Sequence, residues 1–133
     1  MISFFMVMDP PTITQQEHKV RVVKGKPMFY EPQELKVAKK KLLDSLVWYI
    51  PDQMFECGVR LTVKWLFRAT EKHCHGSYRI TKPDTDNLQK MLKDCMTKLR
   101  FWKDDALVAS EIVEKMWSDV PGIYIRIEEL KNG

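Results

Sequence analysis

The 133 residues hold 22 lysines and arginines against 18 aspartates and glutamates, a formal net charge of +4, with 44% hydrophobic and 30% charged side chains. Such a chain can bury a core as one domain, 1–133, and this balance excludes a disordered, fibrous or disulfide-stapled protein. Three cysteines, Cys57, Cys74 and Cys95, form no C-x-x-C pair and point to a reducing, cytoplasmic setting, while the positive excess leans towards an anionic partner without choosing one.

The opening run, residues 1–8, is apolar but lacks a basic start and is far too short to span a bilayer. It is expected as a buried first strand, and no membrane is expected as a partner. Pro10-Pro11 ends it, and residues 12–17 are expected as loop. Residues 18–23 and 27–30 flank Lys24-Gly25-Lys26 as a predicted hairpin. Its Lys19, Arg21, Lys24 and Lys26 suit contact with phosphate, and equally suit a solvated hairpin whose charges discourage edge pairing. Glu31-Pro32 opens a predicted helix running to about residue 50. Leu35, Ala38, Leu42, Leu46 and Tyr49 form its buried stripe with Leu43 at the margin, and Lys36, Lys40 and Lys41 line a solvated face. In residues 58–68, Val59, Leu61, Val63, Trp65 and Phe67 alternate with more polar neighbours, the period of a strand with one buried face.

A loop over 69–82, with Lys72, His73, His75, Arg79 and Lys82, leads into Lys82-Pro83-Asp84-Thr85-Asp86-Asn87-Leu88-Gln89-Lys90. On an extended backbone Asp84 and Asp86 leave on the same side. Carboxylates that close raise each other's pKa unless a cation stands between them, and magnesium needs only one or two of them beside water and phosphate. Asp86 is the expected N-cap of the following helix, with Gln89 completing a capping box. Leu88, Met91, Leu92, Cys95, Met96 and Leu99 make one apolar stripe, and Lys90 lies on the other side, within reach of the carboxylates. Asp94, one turn further, reads either as the ion-pair partner of Lys90 or as an outer carboxylate of the site.

Arg100 breaks the stripe, and Phe101-Trp102 begins a connection that either anchors the chain or stacks on an opened base. Asp104-Asp105 then opens a strand-like run over 106–116, and Asp105 returns to the helix start only if the connection folds over. The last third is predicted as a hairpin, 107–117 with 123–130, and 131–133 should fray. His73-Cys74-His75 invites zinc, but the spacing is wrong for it, so the histidines read as phosphate contacts or plain loop residues. The expected architecture is α+β: a mixed or mainly antiparallel sheet covered by two helices.

The pattern D-x-D-N-L-x-K at 84–90, Asp94 within the helix, and F-W-K-D-D-A at 101–106 resemble the core signature of RusA-type endodeoxyribonucleases, the Holliday junction resolvases borne mainly by phages and prophages. The resemblance implies a RusA-like single domain in a bacterial or phage-infected cell. It implies that Asp84, Asp86 and Asp105 bind Mg2+ (Mn2+ as substitute) and that Lys90 is the catalytic lysine. It further implies hydrolysis of DNA phosphodiesters by paired symmetric nicks in a four-way junction, a homodimer, and no organic cofactor. Asp104 is a candidate to orient or bind metal beside Asp105, and Lys72, Arg79, Lys82 and Lys103 are candidate DNA contacts. The segment Tyr78-Arg79-Ile80-Thr81-Lys82 is thinner in basic residues than the arginine run expected there, which bears on DNA selectivity more than on the chemistry. Two other readings are a less selective flap or fork nuclease and an inactive DNA-binding protein.

Overall fold

The computed structural model describes residues 1–14, 19–23 and 25–131. Its elements in chain order are β1 (Ile2–Val7), β2 (Lys19–Val23), β3 (Lys26–Tyr30), α1 (Gln33–Leu46), β4 (Val59–Arg68), α2 (Thr85–Lys98), β5 (Val108–Ser118) and β6 (Gly122–Glu129). β2 and β3 pair as a separate antiparallel hairpin turning at Gly25, whose φ of 77° suits glycine. The expected contacts of this hairpin's side chains with phosphate, the loop over 15–17, and the fraying at 132–133 lie outside the described residues.

The main sheet is four-stranded in the order β1-β6-β4-β5. β4 is its central strand, with Val59, Leu61, Val63, Trp65 and Phe67 all buried on one face. It runs parallel to β5 and antiparallel to β6, so the sheet is mixed. The expected C-terminal hairpin is therefore corrected: β5 and β6 do not pair with each other, because β4 lies between them. A parallel pair needs a long crossover, and the chain from β4 through α2 to β5 provides it. The short turn from Ser118 to Gly122 then steps across the end of β4, a span of about 10 Å at ordinary strand spacing. Gly122 stands where a Cβ would come within 2.6 Å of the Met6 carbonyl, so the close approach of β1 and β6 there requires glycine.

Both helices lie on the face that β4 buries. Leu35, Leu42 and Leu46 of α1 and Leu88, Met91, Leu92, Cys95 and Met96 of α2 share one core with Ile123, Ile125 and Ile127 of β6. α1 ends earlier than expected: after Leu46 the chain tightens into a 3-10 turn over Val47–Tyr49, and Tyr49 stacks on Phe4 at 4.3 Å. The end of α2 is sharper. The Phe101 amide donates to the Met96 carbonyl and the Arg100 amide to that of Thr97, both at 3.0 Å, with Arg100 left-handed at φ 67°. This double bond satisfies the last carbonyls of the helix and reverses the chain. Phe101 and Trp102 are then fully buried, and Trp102 Nε1 donates to Thr97 Oγ1 at 2.7 Å. Of the two roles open to these rings, they take the anchoring one.

Candidate active site

The start of α2 is built differently from the capping box expected of it. The N-cap is Asp84, extended at φ −74° and ψ 149°, and Asp86 already lies in the first helical turn. Asp84 and Asp86 therefore do not leave a single extended strand as period-two neighbours. The Asp84 carbonyl accepts the Leu88 amide at 3.1 Å, but its carboxylate makes no capping bond. Both carboxylates stand at the positive end of the helix dipole, which favours negative charge there.

Gln89, assigned to the capping box by its spacing, is 3% exposed and bridges helix to sheet instead. Its Oε1 accepts from Trp65 Nε1 at 2.7 Å and its Nε2 donates to Glu111 Oε2 at 2.7 Å. A buried indole N–H needs an acceptor, and the amide supplies it while fixing a carboxylate on β5. Lys93 Nζ donates to the other Glu111 oxygen at 3.2 Å.

The anchored turn after α2 brings Asp105 back. A cleft of about 390 Å³ is lined by Thr85, Asp86, Gln89, Lys90 and Lys93 of α2, by Asp105, and by Glu111 and Val113 of β5. Asp86, Lys90 and Asp105, three of the residues singled out by the sequence, thus face one space, whereas Asp84 adjoins it at the N-cap without lining it. Lys90 Nζ stands 3.9 Å from Asp94 Oδ2, the expected pair one turn apart. The neighbouring aspartates 104 and 105 divide their work. Asp104 Oδ1 accepts the Ala106 amide at 2.9 Å and caps the short 3-10 turn that begins at Asp105.

Glu111, Lys93 and Lys115 were not singled out by the sequence reading. A signal existed: Glu111, Val113, Lys115 and Trp117 alternate along β5 and pair with Leu61, Val63, Trp65 and Phe67 on the face of β4 that carries the core. Lys115 Nζ donates to the carbonyls of Thr81 and Pro83, each at 2.7 Å, just before Asp84, and the Lys82–Pro83 peptide is cis. Burial, then the charge of Arg79, lower the Lys115 pKa, and Asp84 opposes them.

Of the candidate DNA contacts, Lys72, Lys82 and Lys103 are exposed. Arg79 is half-buried, with its guanidinium 4.2 Å from the Phe67 ring and 4.7 Å from the Trp117 ring, and it donates to the Lys82 carbonyl at 2.6 Å. Burial holds its pKa below the usual arginine value. His73 stacks on Trp117 at 4.3 Å, and His75 Nδ1 accepts the Asp119 amide at 2.9 Å. Cys95 lies in the core, and burial pushes its thiol up to about 11.

Among the described residues, no three acidic, histidine or cysteine side chains meet as a ready-made metal cage. The donor set of the cleft still suits a hard divalent cation. Its carboxylates are oxygen ligands, and magnesium completes its shell with water and substrate phosphate.

A family model described as Endodeoxyribonuclease RusA matches residues 9–128. The chain is 31% identical over 130 residues to the crossover junction endodeoxyribonuclease rusA of Lactococcus phage r1t, covering 96% of this chain and 98% of that one. It is 37% identical over 73 residues to the crossover junction endodeoxyribonuclease RusA of Escherichia coli strain K12, covering 55% of this chain and 56% of that one. The protein of that name from Shigella sonnei strain Ss046 matches to the same extent.

Proposed function

The chain belongs to the family of RusA endodeoxyribonucleases, and on that premise we propose that it hydrolyses DNA phosphodiesters at four-way junctions with the help of magnesium. The observation that carries this reading is the cleft at the start of α2, where Asp86 and Asp105 arrive from separate segments and share its lining with Lys90. Asp84, Asp86 and Asp105 would hold Mg2+, with Mn2+ as substitute. When bound, the cation supplies Lewis acidity for the attacking water and for the leaving oxygen.

The chain's own residues set the rest. Lys90 balances negative charge that grows on the phosphoryl oxygens in the transition state and, before substrate arrives, offsets the neighbouring aspartates. Lys93 and Gln89 hold Glu111 by both oxygens, so this carboxylate shapes the wall of the cleft. The α2 N-terminus presents amides towards an incoming anion. Exposed Lys72, Lys82 and Lys103 attract the phosphate backbone, which an acidic site would otherwise repel. Resolution of a junction takes two cuts placed symmetrically, and a two-fold dimer with one cleft per subunit supplies them by geometry.

Asp84→Asn is the experiment. It removes one negative charge while keeping size and N-cap preference. The expected outcome is loss of cutting, by on the order of 10²-fold or more, with junction binding retained or tightened. A folded Asp84→Asn protein that cuts normally, or loses binding together with cutting, contradicts the assignment. Cleavage of flaps and forks as fast as junctions would favour the less selective nuclease.

A further inference from the structure

We propose that Lys115 is a positioning residue for the cutting reaction: its ammonium gathers the carbonyls of Thr81 and Pro83 and so fixes the backbone from which Asp84 projects. The inference rests on the nuclease reading above and extends it to a residue outside the signature motif.

Three consecutive carbonyls of the approach to α2 are held by two cations. Lys115 Nζ donates to Thr81 and Pro83 at 2.7 Å each, and Arg79 donates to the carbonyl between them, that of Lys82, at 2.6 Å. Loop carbonyls ordinarily face water, and charge-assisted bonds of this length are stronger than neutral ones. Both cations stand on rigid supports. Lys115 is paired with Trp65 of the central strand, and the Arg79 guanidinium packs against the rings of Phe67 and Trp117. The loop is also stitched to β5 through its backbone. The Arg79 amide donates to the Lys115 carbonyl and the Trp117 amide to that of Ser77, both at 2.9 Å.

Asp84 is thereby fixed from both sides. The carbonyl before it is bound by Lys115, and its own carbonyl is bound by the Leu88 amide. Only its side-chain torsions remain to be set. Lys115 can donate a third hydrogen bond, and the charge of Asp84 acts on this ammonium. A site residue must hold its productive geometry to about half an ångström, and groups away from the chemistry usually provide that precision. Neutralising Lys115 would release the Thr81 and Pro83 carbonyls together and let the N-cap drift. By contrast, Arg79 would still hold Lys82, so the fold around it stays in place.

Lys115→Met keeps the aliphatic stem and removes every donor; Lys115→Arg keeps charge and donors. Three measurements separate the outcomes: single-turnover cutting of a synthetic four-way junction, junction affinity in chelator, and backbone hydrogen exchange over 81–88. Lys115→Met is expected to slow cutting by about 10²-fold with affinity in place, and to speed exchange in that segment but not in β4. Lys115→Arg should recover much of both. Normal cutting by Lys115→Met, unchanged exchange over 81–88, or exchange quickened throughout the protein overturns the proposal. Should Lys115→Met not fold, Lys115→Leu, which likewise carries no donor, is read in the same way. Wild-type protein that cuts no junction refutes the nuclease reading, while the exchange comparison still judges Lys115.

Discussion

Asp104 commits its carboxylate to the Ala106 amide, whereas Asp105, one residue on, lines the cleft with Asp86 and Lys90. Their chemistry is identical, and their backbone positions separate them. Asp105→Asn should therefore lower cutting by on the order of 10²-fold or more with little change in melting. Asp104→Ala should cost about 1 kcal/mol in a urea titration, as loss of a cap does, and reduce cutting less. Equal loss of cutting with unchanged stability in both would contradict the division. The residue scale is also where spacing misled. Asp86 followed by Gln89 has the form of a capping box, yet the cap is Asp84, because the acceptor that Trp65 Nε1 needs is the amide of Gln89, 24 residues along the chain. No local pattern displays a partner that only the packed sheet brings near. Arg100 was legible as a break in the stripe because a charged residue follows Leu99 there; that the break is a left-handed turn ending the helix is visible only in the fold.

Among elements, the apolar periods of β4 and α2 were plain in the sequence, since each buries one continuous face in the core. Which strands become neighbours was not. A short turn between two apolar runs usually makes a hairpin, but here β4, with its inward face fully buried, takes the place between β5 and β6. That placement also sets the site, because a parallel β4 and β5 carry α2 across the sheet and turn Glu111 and Lys115 towards it. The bridge from Trp65 through Gln89 to Glu111 joins the three elements. Gln89→Leu would leave the indole N–H buried without an acceptor and free Glu111 on one side. We expect a loss of about 1–3 kcal/mol by urea titration. A variant as stable as the parent would mean that the bridge contributes nothing to holding α2 on the sheet.

At the scale of the molecule, the chain carries a net charge of +4, while its cleft is lined by the carboxylates of Asp86, Asp105 and Glu111 beside Lys90 and Lys93. Under the proposed function, lysines outside the cleft would draw DNA while the cleft carboxylates would accept a divalent cation. Paired cutting further requires two clefts in fixed relation. Sedimentation at micromolar concentration is expected to return a dimer, and a monomer would contradict the symmetric mechanism. The most direct measurement is cleavage of a synthetic four-way junction while magnesium is titrated against chelator. Paired nicks, symmetric about the branch point, are expected to appear with magnesium, vanish with chelator and exceed any cutting of linear duplex. Cutting that survives chelation, or no nick in any branched DNA at any magnesium concentration, would contradict it.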